Sequence, residues 1–265
     1  MKQKLSSLTM VIIFMSAVLG SCTSCSKEDD PTPEVEACDF STLTISKTET
    51  YGFDSNFSEH FTQSLRWESE NADIKLVNEK GQLRADSNNT SQALEAWKLY
   101  KVQMPYNKSW EISVDVHIPL YWNSNGGKDA QVGAGIFVGK PVSSGQSSKV
   151  YECNMAAING GERFVQAQLI ANRLGEDPIN VQYTALKQSK ELASLKIRFC
   201  SSHKKLSLFI DNTIVGEGKQ IDAKGLDNWK LSDSDRMDVG IMGFAENTVI
   251  TSNQPVLDNF SYTIY

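Results

Sequence analysis

Trp110-Glu111-Ile112-Ser113-Val114-Asp115-Val116-His117-Ile118 alternates without interruption between two kinds of side chain. Ile112, Val114, Val116 and Ile118 fall on one side, and Glu111, Ser113, Asp115 and His117 on the other. Successive residues of an extended chain point to opposite faces, so this period of two predicts a strand with one face on an apolar core and the other toward water.

The same pattern recurs on both sides of this segment. Leu195-Lys196-Ile197-Arg198-Phe199 and Leu206-Ser207-Leu208 alternate, and further strands are expected at Gln131–Val138, Val150–Ala157, Phe164–Ile170, Thr213–Glu217, Val239–Phe244 and Phe260–Ile264. Asn159-Gly160-Gly161 and Asp211-Asn212 separate apolar runs and suit the positive φ of tight hairpins. Ser91–Tyr100 reads equally as a short helix or a strand. Many half-buried strands with short polar breaks predict an all-β protein, a two-sheet antiparallel β-sandwich.

The order of these pieces resembles the concanavalin A-like lectins and glucanases. Phe53-Asp54-Ser55-Asn56-Phe57, then Trp67 and Gly81-Gln82-Leu83, is similar to the opening strands of that superfamily. Val132-Gly133-Ala134-Gly135-Ile136-Phe137, the pair Leu195–Phe199 and Leu206–Asp211, and the closing Val256-Leu257-Asp258-Asn259-Phe260 continue the likeness. The resemblance implies a jelly roll and, for many members, a structural calcium ion where first and last strands join. Asp54 and Asp258 occupy comparable places, with backbone carbonyls available to complete an oxygen shell.

The N-terminus predicts export. Lys2 and Lys4 precede the apolar run Leu8–Leu19, which is shorter than the roughly 20 residues of a membrane-spanning helix. Leu19-Gly20-Ser21-Cys22 resembles the lipobox of bacterial lipoproteins, which implies cleavage before Cys22 and lipid on its thiol. Two or more acyl chains hold a protein stably on a membrane. The acidic Ser26-Lys27-Glu28-Asp29-Asp30 resembles the signal that carries such lipoproteins to the outer face of the outer membrane, with a periplasm-facing anchor as the alternative. The expected organisation is a signal peptide at 1–21, a flexible tether at 22–50 containing Pro31 and Pro33, and one β-sandwich at 51–265.

Charge narrows the partners. The formal charge of −6 becomes −8 once residues 1–21 are removed, which argues against nucleic acid. Of the five cysteines, Cys38, Cys153 and Cys200 lie beyond Cys22 and Cys25. If a pair bridges, Cys153–Cys200 is expected because both sit in strand-like runs; buried free thiols are the alternative.

Catalytic signals are sparse. Laminarinase-type members of the superfamily carry Glu-x-Asp-x-x-Glu, which is not found. Glu111 and Asp115 share a face but stand about 13 Å apart at ~3.3 Å per residue, outside glycosidase carboxyl spacing. His60, His117 and His203 are far apart in sequence and lack metal-ligand spacing. The binding expectation is broader. If the middle strands follow sequence order in one sheet, Asp115, His117, Glu152, Asn154, Gln166 and Gln168 line one polar face, Gly133 and Gly135 leave room for a ligand, and Tyr121 and Trp122 offer a stacking plate. Amides and carboxylates suit sugar hydroxyls. The expected role is therefore non-catalytic capture of a polysaccharide or oligosaccharide. The alternatives are a sugar-cleaving enzyme drawing on Asp115, Glu152 or His117, and an adhesion protein that binds protein.

Overall fold

The computed structural model describes residues 38–53, 62–63, 74–79, 82–87, 94–119, 130–140, 151–160, 163–171, 179–187, 191–215, 226, 229–246 and 255–265. The chain divides into two units, Met1–Pro33 and Glu34–Tyr265, and every described residue belongs to the second.

Among the described residues, a short 3-10 turn at Phe40–Thr42 precedes fifteen strands. They are β1 (Lys47–Tyr51), β2 (Thr62–Gln63), β3 (Ile74–Glu79), β4 (Gln82–Ser87), β5 (Leu94–Pro105), β6 (Trp110–His117), β7 (Gln131–Gly139) and β8 (Tyr151–Asn159). The remainder are β9 (Arg163–Ala171), β10 (Ile179–Lys187), β11 (Leu192–Cys200), β12 (Lys205–Ile210), β13 (Thr213–Val215), β14 (Arg236–Glu246) and β15 (Val256–Ile264). One sheet runs β13-β12-β11-β6-β15-β4-β3, with β1 also paired to β15; the other runs β10-β9-β8-β7-β14-β5-β2. The two-sheet antiparallel sandwich expected from the sequence is present.

Core formation follows the alternation. Ile112, Val114 and Val116 of β6 are buried and meet Val132, Ala134, Ile136 and Val138 of β7 and Cys153, Met155 and Ala157 of β8 in one cluster. Trp110 is fully buried and stacks on Phe199, which in turn stacks on Tyr106 (centroids 5.3 and 5.2 Å). Trp97, Trp110 and Trp229 are core residues. Of Ser91–Tyr100, the described residues from Leu94 onward are strand: β5 pairs with β14 from Leu94 to Pro105, and cross-strand pairing outweighs the helix propensity of its Ala, Glu and Leu. Asp211 and Asn212 have φ of 51° and 64°, as the tight turn between β12 and β13 requires.

Two expectations change. The bridge is Cys38–Cys200, with Cα atoms 5.6 Å apart, and Cys153 is a free, buried thiol. Cys153 points into the core from β8 in the second sheet, whereas Cys200 ends β11 in the first. Burial pushes the Cys153 thiol well above its ordinary range. The folded body also begins before residue 51. Cys38 and Phe40 are buried with Cys200, and β1 pairs with β15 from Lys47↔Ile264 to Tyr51↔Phe260. Polar composition hid this because β1 is an edge strand, held by main-chain bonds.

The bridge closes a loop with a sequence separation of 162. In the chain-entropy model such a loop stabilises the fold by about 5 kcal/mol, and measured losses run roughly 2–5 kcal/mol. Cys200→Ser is therefore expected to lower the free energy of urea unfolding by about 2–5 kcal/mol. A phosphine reductant should reproduce that loss in the wild-type chain and add nothing to the variant.

Candidate functional site

Asp115 and His117 do not share a sheet with Glu152, Asn154, Gln166 and Gln168. They lie on β6 in the first sheet, while β7, β8 and β9 belong to the second. The polar face expected from sequence order is thus two faces on opposite sides of the sandwich, because the chain crosses between sheets after β6. Tyr121, Trp122 and Asp54 lie outside the described residues.

The outer face of the first sheet is occupied by its own contacts. Glu111 accepts from Arg198 at 2.8 Å, and the Arg198 guanidinium lies between the Phe40 and Phe209 rings, 4.9 and 4.8 Å from their centroids. Ser113 and Ser261 hydroxyls are 2.7 Å apart. Asp258 faces Asp115 across β15 and β6. Asn259, at φ 51° in the bulge that follows, donates its amide N–H to Asp258 (2.7 Å) and its side-chain N–H to Asp115 (3.1 Å). Calcium takes six to eight oxygens. Of the expected calcium pair only Asp258 lies among the described residues, beside Asp115, and each of these carboxylates accepts one hydrogen bond from Asn259.

The outer face of the second sheet is different. Glu152 and Asn154 are 1% and 5% exposed although they point away from the core, and Asn154 donates to Glu152 at 2.8 Å. The register sets Gln103, Asp238, Gly139 and Glu152 in one row across β5, β14, β7 and β8. The next rows carry Phe137, Asn154 and Gln168, then Gly135, Ala156 and Gln166. Gln166 is half-buried. At ~4.8 Å between neighbouring strands, Asp238 and Glu152 stand about 10 Å apart at the backbone. Only Gly139, without a side chain, lies between them.

Asp238 and Gln103 were missed by sequence reasoning, which began the strand at Val239. The signal was present: Met237, Val239 and Ile241 alternate with Asp238 as they do with Gly240. Burial raises the Asp238 carboxyl above its ordinary value, and the hydrogen bond from the Gln103 amide (3.0 Å) partly offsets that.

The glycines of β7 serve packing. A Cβ on Gly133 would meet the Phe244 ring at 2.5 Å, and one on Gly135 would collide with the Met155 carbonyl and the Ala156 backbone. Phe244 and β8, rather than a ligand, occupy the space expected to be open. His203 lies in an exposed turn. It joins Cys38 and Cys200 as the one three-residue group of metal-ligand type among the described residues, and the disulfide engages both sulfurs.

Neither a family model nor a curated protein sequence matches the chain. Solved structures do. An endo-1,3-beta-glucanase from Streptomyces sioyaensis is similar over 83% of this chain and 96% of its own, at 8% identity and TM-score 0.54. The CBM2 module of the evolved Dit protein of Lactobacillus casei BL23 phage J-1 covers 82% and 96%, at 8% identity and TM-score 0.53. Winged bean acidic lectin complexed with methyl-alpha-D-galactose covers 82% and 98%, at 11% identity and TM-score 0.45. The fold is a two-sheet antiparallel jelly roll, shared with the glucanase and the CBM2 module. At these identities the likeness defines the fold, and fold alone does not assign an activity.

Two outcomes follow. Gly135→Ala is expected to cost at least about 3 kcal/mol in urea unfolding, because backbone must move; Gly133→Ala should cost less, because the half-buried Phe244 ring can shift. Asp238 has a raised folded-state pKa, so its contribution is present below about 3.9 and is lost as pH rises through the folded value. Asp238→Asn should therefore raise the melting temperature at neutral pH and remove that fall.

Proposed function

We propose that the chain is an exported lipoprotein, anchored through lipid on Cys22 and facing outward from the outer membrane, whose jelly-roll body captures carbohydrate without cleaving it. The observation that carries the binding site is the Glu152–Asn154 pair, buried and hydrogen-bonded on an outward sheet face. A buried carboxylate adds nothing to an apolar core and is costly unless bonded. Together with Gln103, Asp238 and Gln166 it forms a patch of acceptors and amide donors, the complement of sugar hydroxyls, and Gln168 holds the register position beside Asn154 on β9. Asp115 and His117 leave the proposed site. Tyr121 and Trp122 stay in it as stacking groups on the connection from β6 to β7. The solved glucanase of the same fold gives the sugar reading its context.

One observation favours a second reading, sugar hydrolysis. Asp238 and Glu152 flank Gly139 two strands apart, near the ~6.5–9.5 Å carboxyl spacing of inverting glycosidases, and a burial-raised Asp238 suits a general acid. Against it, Glu152-Cys153-Asn154-Met155-Ala156-Ala157 has the spacing of Glu-x-Asp-x-x-Glu with an amide and a methyl group in place of the second and third carboxyls.

The test is affinity electrophoresis of the full chain in a panel of plant, algal and microbial polysaccharides, with reducing ends measured in parallel. The expected result is retardation in at least one polysaccharide with no reducing ends released. Gln166→Ala should weaken retention about 3- to 10-fold, the worth of one neutral hydrogen bond, and Trp122→Ala should weaken it more, both with an unchanged melting curve. Absence of retardation throughout the panel contradicts capture. Reducing ends that vanish in Asp238→Asn establish the hydrolytic reading instead.

A further inference from the structure

The segment from Cys38 to Tyr51 crosses the outside of the first sheet and is fixed to it at three places. Cys38 is bonded to Cys200. Phe40 packs on Arg198 and, edge to face at 5.1 Å, on Tyr265. Ser46 donates its backbone N–H and its hydroxyl to the Ile264 carbonyl at 2.8 and 2.9 Å, and β1 continues along β15.

These attachments respond differently to a pull from the N-terminus. β1 pairs with β15 alone among the described strands, antiparallel, with Lys47 opposite Ile264 at the end where the chain enters. Tension arriving at Lys47 would break those pairs one after another, as a zipper opens. β11 is held on both sides: Leu192–Phe199 pair with β6, and Leu195–Cys200 pair with β12. Tension delivered to Cys200 loads both ladders together, in a strand whose Leu195, Ile197 and Phe199 are fully buried.

We propose that Cys38–Cys200 is a mechanical strap, carrying tension from the N-terminal tether past the edge strand β1 and into the interior strand β11. The inference rests on the tethered reading above, because a body held by its N-terminus while gripping an extracellular polymer is pulled at that end. Without the bridge, the first element to meet the load is the one least able to bear it.

Optical tweezers test this on the full chain, with one handle at the N-terminus and the other on an azide-bearing residue replacing the exposed Glu191, which immediately precedes β11. With the bridge intact, the load passes from Cys38 to Cys200 and along an already extended β11, and no lengthening of residues 38–51 is expected. In phosphine reductant, or in Cys200→Ser, a first low-force step of at most about 45 Å is expected as 38–51 detaches, at ~3.4 Å per residue. The same step in both states, or in neither, overturns the proposal. So does loss of the β-sheet circular dichroism on reduction without force, which would make the bridge a condition of folding. No lipid or polysaccharide takes part, so a failed binding screen and a failed strap are separate results.

Discussion

β6 is held in register from both sides, and the positions of the other elements of the first sheet follow from that. It pairs with β11 from His117↔Leu192 to Trp110↔Phe199 and with β15 from His117↔Val256 to Trp110↔Ile264. A one-residue slip would turn Ile112, Val114 and Val116 to water and bring Glu111 and Asp115 into the core. Each apolar side chain so exposed would cost ~1.5–3 kcal/mol, before any penalty for the carboxylates. This fixed register places Cys200 just past Phe199, where the turn with Ser109 and the C-terminal Tyr265 meet it. The Ser109 hydroxyl accepts from the Ser201 amide, and the Tyr265 amide donates to the Ser109 carbonyl. Cys38 docks at that corner, so the alternation of β6 determines where the N-terminal segment is fastened.

The two sheets use their outer faces in opposite ways. In the first, β6 and β11 alternate between buried and half-buried residues, and the outward side chains satisfy one another through Glu111–Arg198, Ser113–Ser261 and Asp115–Asn259. In the second, β7 is buried from Val132 through Gly139, and Phe137 and Met242 are 1% exposed on the outward side. The close approach of Phe244 to Gly133 and of β8 to Gly135 belongs to this tighter packing. A polar residue on the first face costs little, because water and neighbours are at hand. On the second it must be bonded or it destabilises the fold.

That difference explains how much could be read from the residues alone. Alternation in Trp110–Ile118 and Leu195–Phe199 identified strands, their inward faces and the sandwich, because burial on one side writes itself as a period of two. Which sheet each strand joins is not written that way. Asp115 and Glu152 look alike in sequence, and only the crossing between β6 and β7 separates them. The Cys38–Cys200 pairing was hidden for a related reason: residues 38–50 show no period-two apolar pattern, and their docking relies on main-chain bonds, one covalent link and a small cluster around Phe40. Asp238 was legible in Met237-Asp238-Val239, but its importance came from the row it enters with Gly139 and Glu152, a relation among three strands distant in sequence.

The change in the candidate site therefore has a physical basis. Half-exposed polar residues such as Asp115 and His117 are what an antiparallel sheet presents to water whether or not it binds anything. Glu152 stands in the contrary situation, a carboxylate withdrawn from water on a face that could have been filled by another Phe137 or Ile158. Asn154 offsets part of that cost by donating to it, and two strands away the half-buried Asp238 accepts from the exposed Gln103. Two acid–amide pairs separated by a residue without a side chain make a narrow polar strip set in an apolar surround. Such a strip contributes less to stability than apolar side chains would, and that cost is the physical reason for placing the proposed site on this face rather than on the first sheet.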